Sequence, residues 1–240
     1  MPTRTTWKRR YPLTGLTSAM LMGRAPVTKR RRVAKGSYRT TGYYGRYSPL
    51  GSELKFLDTT DTKSSVNASG TIKESSLVNV VAGTGESQRV GRKITIKSIH
   101  MRYIAQLSNT SNPSGTDDGL RVIVYWDKQC NGATAAVTDI LETAEYLSFN
   151  NLSNKNRFSI LMDKTVDISA TAGAYDGTND QFGQKAVTRS FHKKVNIPVE
   201  YSSTTGGLTE IRSNNIGLLA ISDAGAINMG YTCRVRFSDN

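Results

Sequence analysis

Near its C-terminus the chain reads YTCRVRF (Tyr231–Phe237), and the pattern alternates residue by residue. Tyr231, Cys233, Val235 and Phe237 fall on one side, Thr232, Arg234 and Arg236 on the other. An extended strand points successive side chains to opposite faces, so this segment predicts a strand with one dry and one wet face. The same period recurs. FSILMDKTVDI places Phe158, Ile160, Met162, Val166 and Ile168 together. VTRSFHKKVNIPV groups Val187, Phe191, Val195, Ile197 and Val199, interrupted by Arg189 and Lys193. Further strands are predicted at 53–59, 75–82, 93–107, 120–127 and 215–222, bounded by Gly, Asn, Ser and Asp. The apolar phase switches between Ile96 and Ile99, which predicts a bulge. LRVIVYW (Leu120–Trp126) is apolar on nearly both faces, as expected of a sheet interior or a subunit contact. One helix is expected over Thr138–Leu147, with Ile140, Leu141, Ala144 and Leu147 on its stripe. Eight strands without a βαβ rhythm predict an all-β fold. The expectation is a single antiparallel sandwich, and the jelly roll is the commonest eight-stranded form.

The charges divide the chain differently. Residues 1–52 contain no carboxylate; the first is Glu53. Over the same stretch stand Arg4, Lys8, Arg9, Arg10, Arg24, Lys29, Arg30, Arg31, Arg32, Lys35, Arg39 and Arg46. The remaining 188 residues hold the other 20 cations and all 19 anions, so the net charge of +13 resides almost wholly in the first segment. Like charges repel, and the segment has too few apolar residues to offset the entropy of ordering it. We expect a disordered basic N-terminal arm (1–52) and one compact domain (53–240), with a polyanion or an address receptor as the arm's partner.

Other classes find little support. No apolar run approaches the ~20 residues that span a bilayer, so no membrane partner is expected. WKRRYPLTGLTSAMLMGRA has a basic start, but Thr, Gly and Ser break its apolar run, which argues against a secretory signal; the sequons at Asn67, Asn109 and Asn151 therefore carry little weight. Cys130 and Cys233 lack the paired spacing of a zinc site and read as buried thiols. His100 and His192 lie inside predicted strands and read as structural. No nucleophile elbow, metalloprotease helix or phosphate loop occurs. Ala82–Gly91 is glycine-rich but reads as a plain loop. Asp117, Asp118, Asp176 and Asp180 read as solvated loop carboxylates rather than as a calcium site. No catalytic residue, metal site or cofactor is expected.

The arm does carry a mechanism. Each cation can sit against a phosphate and release a condensed counterion, which gives sequence-independent, salt-sensitive binding. Guanidinium groups suit phosphate forks and base stacking. Tyr38, Tyr43 and Tyr44 are interleaved with Arg39 and Arg46, and aromatic faces on a basic tether favour single strands with exposed bases. Lys8, Arg9 and Arg10, then Lys29, Arg30, Arg31 and Arg32, also have the form of a two-part nuclear localisation signal.

The succession basic arm, GSELKFLDTT, RVGRKITIKSIHMR, RVIVYWDKQCNG, NKNRFSILMDK and NNIGLLAIS resembles the capsid proteins of circular Rep-encoding single-stranded DNA (CRESS-DNA) viruses. It is most similar to the branch whose coat proteins are like those of satellite tobacco necrosis virus. The resemblance implies a single jelly roll, a T=1 shell of sixty copies, and an arm lying inside on a single-stranded DNA genome, or on RNA in recombinant particles. It also implies use of the host nuclear import machinery. Pro12–Met22 is less basic than a simple arm requires; it fits packing on the inner shell wall or a role in cell penetration. Two rivals stand beside this reading: an organellar RNA-binding protein with a basic transit peptide, and an enzyme on a β-sandwich.

Overall fold

The computed structural model describes residues 54–107, 117–169 and 186–239. They form β1 (Leu54–Val66), β2 (Thr71–Glu74), β3 (Lys93–Leu107), β4 (Asp118–Asp127), α1 (Val137–Ile140), β5 (Phe158–Ile168), β6 (Ala186–Tyr201), β7 (Ile211–Ser213), β8 (Asn215–Ser222) and β9 (Ile227–Asp239). All ladders are antiparallel. One sheet runs β1-β9-β3-β6-β7 and the other β2-β8-β4-β5. Without the three-residue β7 this is an eight-stranded jelly roll: the first strand pairs with the last, the second with the second-last, and the two sheets face each other.

The core between the sheets comes from the alternation. Ile94, Ile96, Ile99, Met101, Tyr103 and Ala105 of β3 are buried against Leu120, Val122 and Val124 of β4 and Ile216, Leu218 and Ala220 of β8. Tyr231, Cys233, Val235 and Phe237 of β9 point inward, while Thr232, Arg234 and Arg236 are exposed. The bulge expected near Ile96 is present as a register shift between Ile96 and Ser98 on both flanks of β3. Its effect is to keep Ile99 in the core. The Tyr231 hydroxyl crosses to the other sheet and donates to Glu74 at 2.9 Å.

Leu120–Trp126 is apolar on both sides because both sides are covered. Its outer residues Ile123 and Tyr125 lie in a second cluster with Ala135, Ile140, Leu141, Phe158, Leu219 and Ile221. The segment between β4 and β5 folds back over the four-stranded sheet and makes that cluster. Of the two alternatives, sheet interior is the one realised.

Four expectations are corrected. Residues 75–82 form no strand; β2 precedes them, and Leu77, Val78 and Val80 plug the end of the sandwich as loop. There the Leu77 N–H donates to the Ile216 carbonyl at 2.7 Å and the Tyr201 hydroxyl to the Val78 carbonyl at 2.6 Å. A short apolar run serves a buried loop as well as a strand. The helix expected over 138–147 stops at Ile140, because Leu141 turns extended and bridges to Asn150. In β5 the alternation breaks: a register shift opposite Val124/Tyr125 leaves Phe158 and Ile160 on the outer cluster while Met162, Val166 and Ile168 face inward. Finally, Asp118 is not a solvated carboxylate. It is buried, accepts from Ser222 Oγ at 2.6 Å and from the Ala224 and Ala226 N–H groups at 2.9 and 2.8 Å, and so pins the turn before β9.

Candidate nucleic-acid and subunit-contact surfaces

The arm residues from Arg4 to Arg46, with Tyr38, Tyr43 and Tyr44, lie outside the described residues, as do Asn109, Asp176 and Asp180. The domain itself presents two contrasting faces.

The outer face of the five-stranded sheet is basic. Period two on β9, β3 and β6 brings Arg234, Arg236, Arg102 and Lys194 to it, all exposed. His100 stands opposite His192 on one side and Arg234 on the other, and the two imidazoles meet edge to face with centroids 5.8 Å apart. Arg234 forks onto Asp58 at 2.7 and 2.5 Å and covers the Phe56 ring at 4.7 Å. The hydrogen bonds and charge of Arg234 hold the Asp58 carboxyl below its ordinary range. Among the described residues, Arg102, Lys194 and Arg236 have no ion-pair partner. Arg189 and Lys193, the interruptions in β6, sit at the sandwich edge. Lys193 donates to the Leu161 carbonyl at 3.0 Å, and Arg189 lines a shallow pocket with Lys164, Tyr103 and Phe191. Long cationic stems can lie along apolar surface while their heads reach polar partners, which is how an inward-facing position accepts them.

The opposite face is the layer over the four-stranded sheet, and it is built stiffly. Arg121, exposed on no more than 11% of its side chain, donates to both Asp163 oxygens at 2.9 and 2.6 Å and to the Tyr146 and Ser148 carbonyls at 2.9 and 2.6 Å. Arg157 forks onto the buried Asp127 at 2.9 and 2.8 Å and lies over Phe158. From this layer Leu147, Phe149 and Leu152 project into solvent, 82%, 80% and 68% exposed. Leu147 was expected on an inward helical stripe; with the helix ended at Ile140 it points outward. The sequence signal available was the run LSFNNL, whose apolar residues follow neither a helical nor a buried-strand context.

The glycine-rich Ala82–Gly91 is a loop, as expected, and its anchor is Arg89. That side chain is buried. Its guanidinium lies 4.1 Å over the Tyr201 ring and donates to the Val80 carbonyl at 3.0 Å, the Gly91 carbonyl at 2.7 Å and the Ser203 carbonyl. Cys130 and Cys233 are buried free thiols; burial raises the pKa of both, that of Cys233 to about 12. Among the described residues, no three His, Cys, Asp or Glu side chains gather as a metal site would require.

A family model described as satellite tobacco necrosis virus coat protein matches residues 51–240. The coat protein of Maize white line mosaic satellite virus is 36% identical over 146 residues, which is 60% of this chain; the chain thus spans 61% of that relative's length. Among solved structures, that of Desmodium yellow mottle tymovirus covers 100% of this chain and 96% of its own at 11% identity and a TM-score of 0.30. A 60-mer BFDV capsid protein covers 78% and 92% at 8% identity and a TM-score of 0.29. Superpositions that loose add nothing to the fold described above.

Proposed function

This chain belongs to the satellite tobacco necrosis virus coat-protein family, a structural rather than an enzymatic family; we propose that sixty copies close into a T=1 virion shell, and that the shell encloses a single-stranded DNA genome. The arm is the genome tether. The observation that carries this reading is the charge partition: twelve cations and no anion in residues 1–52, against a nearly neutral jelly roll. Subunits that must meet one another need a body without strong self-repulsion, whereas a packaged polyanion needs cations on a tether. Sixty arms would neutralise ~720 phosphates at one per cation.

In the domain, β1 is an edge strand of the five-stranded sheet. The outer face of that sheet carries Arg102, Lys194, Arg234 and Arg236. A face with that charge supports the five-stranded sheet as the side turned toward the genome. DNA as the genome rests on the resemblance to CRESS-DNA capsid proteins. Nuclear delivery rests on the two basic runs at 8–10 and 29–32, read by host import receptors; a reporter fused to residues 1–40 is expected in the nucleus. Family membership leaves the transit-peptide and enzyme readings without support.

Negative-stain microscopy of virions and nuclease digestion of the nucleic acid extracted from them provide the test. Closed particles of uniform size, with contents cut by DNase and by a single-strand nuclease but not by RNase, are expected. RNA contents would overturn the DNA assignment, and absence of particles the shell. Binding by the arm is expected to be electrostatic. Replacing Arg30, Arg31 and Arg32 by Ala should make the slope of log affinity against log salt shallower by roughly 2 on single strands, at ~0.7 per contact. An unchanged slope would remove the tether role.

A further inference from the structure

Six large apolar side chains are exposed among the described residues, and five of them fall in two loops: Leu147, Phe149 and Leu152 in one, Val81 and Val90 in the other. Exposed apolar residues scattered singly need no explanation, but clusters mark contact sites. Both clusters are held out deliberately. Ser148 is buried between Leu147 and Phe149; its hydroxyl accepts from the Thr143 N–H at 2.8 Å and its carbonyl from Arg121 at 2.6 Å. Its two neighbours are therefore directed outward together. Asn151 caps the turn carrying Leu152 by accepting from the Ser153 N–H at 3.0 Å. In the other loop, Arg89 is the shared anchor: its N–H donates to the Val81 carbonyl at 3.0 Å and its buried side chain to the Val80 carbonyl at 3.0 Å, while Val81 and the residue after Arg89, Val90, 46% and 71% exposed, stay outside.

The two clusters differ in charge. Exposed Glu142 and Glu145 accompany the first, and neither has a cation partner among the described residues. Exposed Arg92 and Lys93 accompany the second, where they outnumber its single exposed carboxylate, Glu86. They also differ in place. Tyr146, next to Leu147, packs over Gly119 and donates to Asp167, at the end of β4 that pairs with Ser222. The Val81–Val90 loop bonds to Ser203, beyond the plug whose Leu77 and Ser75 bond to Ile216 and Asn215, at the other end of β8.

We propose that the acidic, apolar loop 142–152 of one copy docks on the basic, apolar loop 81–93 of the next, forming a head-to-tail contact between copies. The inference rests on the coat-protein reading above. Its reasons are the opposite charge of the two patches, their shared apolar centres and their location toward opposite ends of the sandwich. A contact between unlike patches is heterologous, and repeated by rotation it closes into a ring, the unit from which a shell is made. An apolar centre with charged residues around it is also the ordinary anatomy of a protein interface.

Charge reversal on the full-length chain tests it, with particles read by sedimentation and microscopy. The E142K/E145K variant and the R92E/K93Q variant should each lose the fast-sedimenting particle peak, and the two pairs combined in one chain should restore it. Lys93→Gln is chosen because Lys93 pairs with Glu200 at 3.5 Å, and a glutamate there would face a like charge. A third variant, L147S/F149S/L152S, should also fail to assemble while keeping the wild-type circular dichroism and melting temperature. If the wild-type chain forms particles and the single-sided reversals form them equally well, or the combination does not recover them, the contact is overturned and the coat reading stands. A wild-type chain that forms no particles would instead overturn the coat reading.

Discussion

At the scale of single residues, the basic sheet face contains one internal brake. Asp58 neutralises Arg234 across the β1–β9 ladder. Both side chains are more than a third exposed, so solvent screens the pair and it contributes little to stability. Because the Asp58 pKa is lowered in the folded protein, that contribution is present above the ordinary aspartate range and disappears as pH falls through the lowered one. Asp58→Asn should therefore leave the melting temperature nearly unchanged at neutral pH. It should also tighten nucleic-acid binding and steepen its salt dependence by roughly one contact, ~0.7 on single strands. A titration in which the variant binds no better than wild type would place the nucleic acid elsewhere. Gly217 gives a different residue-scale prediction. A Cβ there would run into the Tyr125 ring, in a cluster closed on both sides. Gly217→Ala should cost ~1–3 kcal/mol by overpacking. Pairing it with Tyr125→Leu should cost less than the sum of the two single changes, as measured by denaturant melts of unassembled protein.

At the scale of elements, the layer over the four-stranded sheet is tied down chiefly through Arg121. Arg121 ties β4 to β5 through Asp163 and ties both to the Tyr146–Ser148 backbone. Removing one partner of a largely buried ion pair leaves the other charge uncompensated, at a cost of about 3 kcal/mol. Arg121→Ala should lower stability by about that amount. It should also raise hydrogen exchange at the Glu142 and Thr143 amides, which bond to the Phe149 carbonyl and the Ser148 hydroxyl, before it affects the β3–β9 ladder. Equal acceleration throughout would mean that the layer and the sheets open as one unit. Much at this scale was legible from sequence. The bulge in β3 was, because Ile96 and Ile99 cannot share a face on a regular strand. The bulge in β5 was not: Phe158, Ile160 and Met162 satisfy an unbroken alternation on paper, and only the outer cluster that takes Phe158 and Ile160 shows that they leave the core. Among candidate contact residues, Leu147 was visible as apolar, but a helix over 138–147 would carry it inward; it faces outward because that helix ends at Ile140.

At the scale of the whole molecule, the proposed partition into arm and jelly roll predicts separable functions. A chain of residues 48–240 should retain the subunit contacts and sediment as assembled particles at high concentration, while losing salt-sensitive nucleic-acid binding. A strictly monomeric 48–240 chain beside a full-length chain that assembles only on nucleic acid would move the contacts to the arm. The sequence by itself determined the charge partition and most strand faces, because both follow from local properties: net charge over a segment, and the period of two imposed by the extended backbone. Tertiary structure alone decided which strands are neighbours. Leu54 meets Ser238 and Thr71 meets Ala220, pairings set by how two curled sheets close on one core rather than by the residues of either strand. It also decided that Asp118 is buried beneath a turn that begins at Ser222, that residues 75–82 plug the sandwich without joining a sheet, and that Leu147 faces outward. Each depends on what distant chain lies beside the residue, and a one-residue slip in that packing reverses the direction of a side chain.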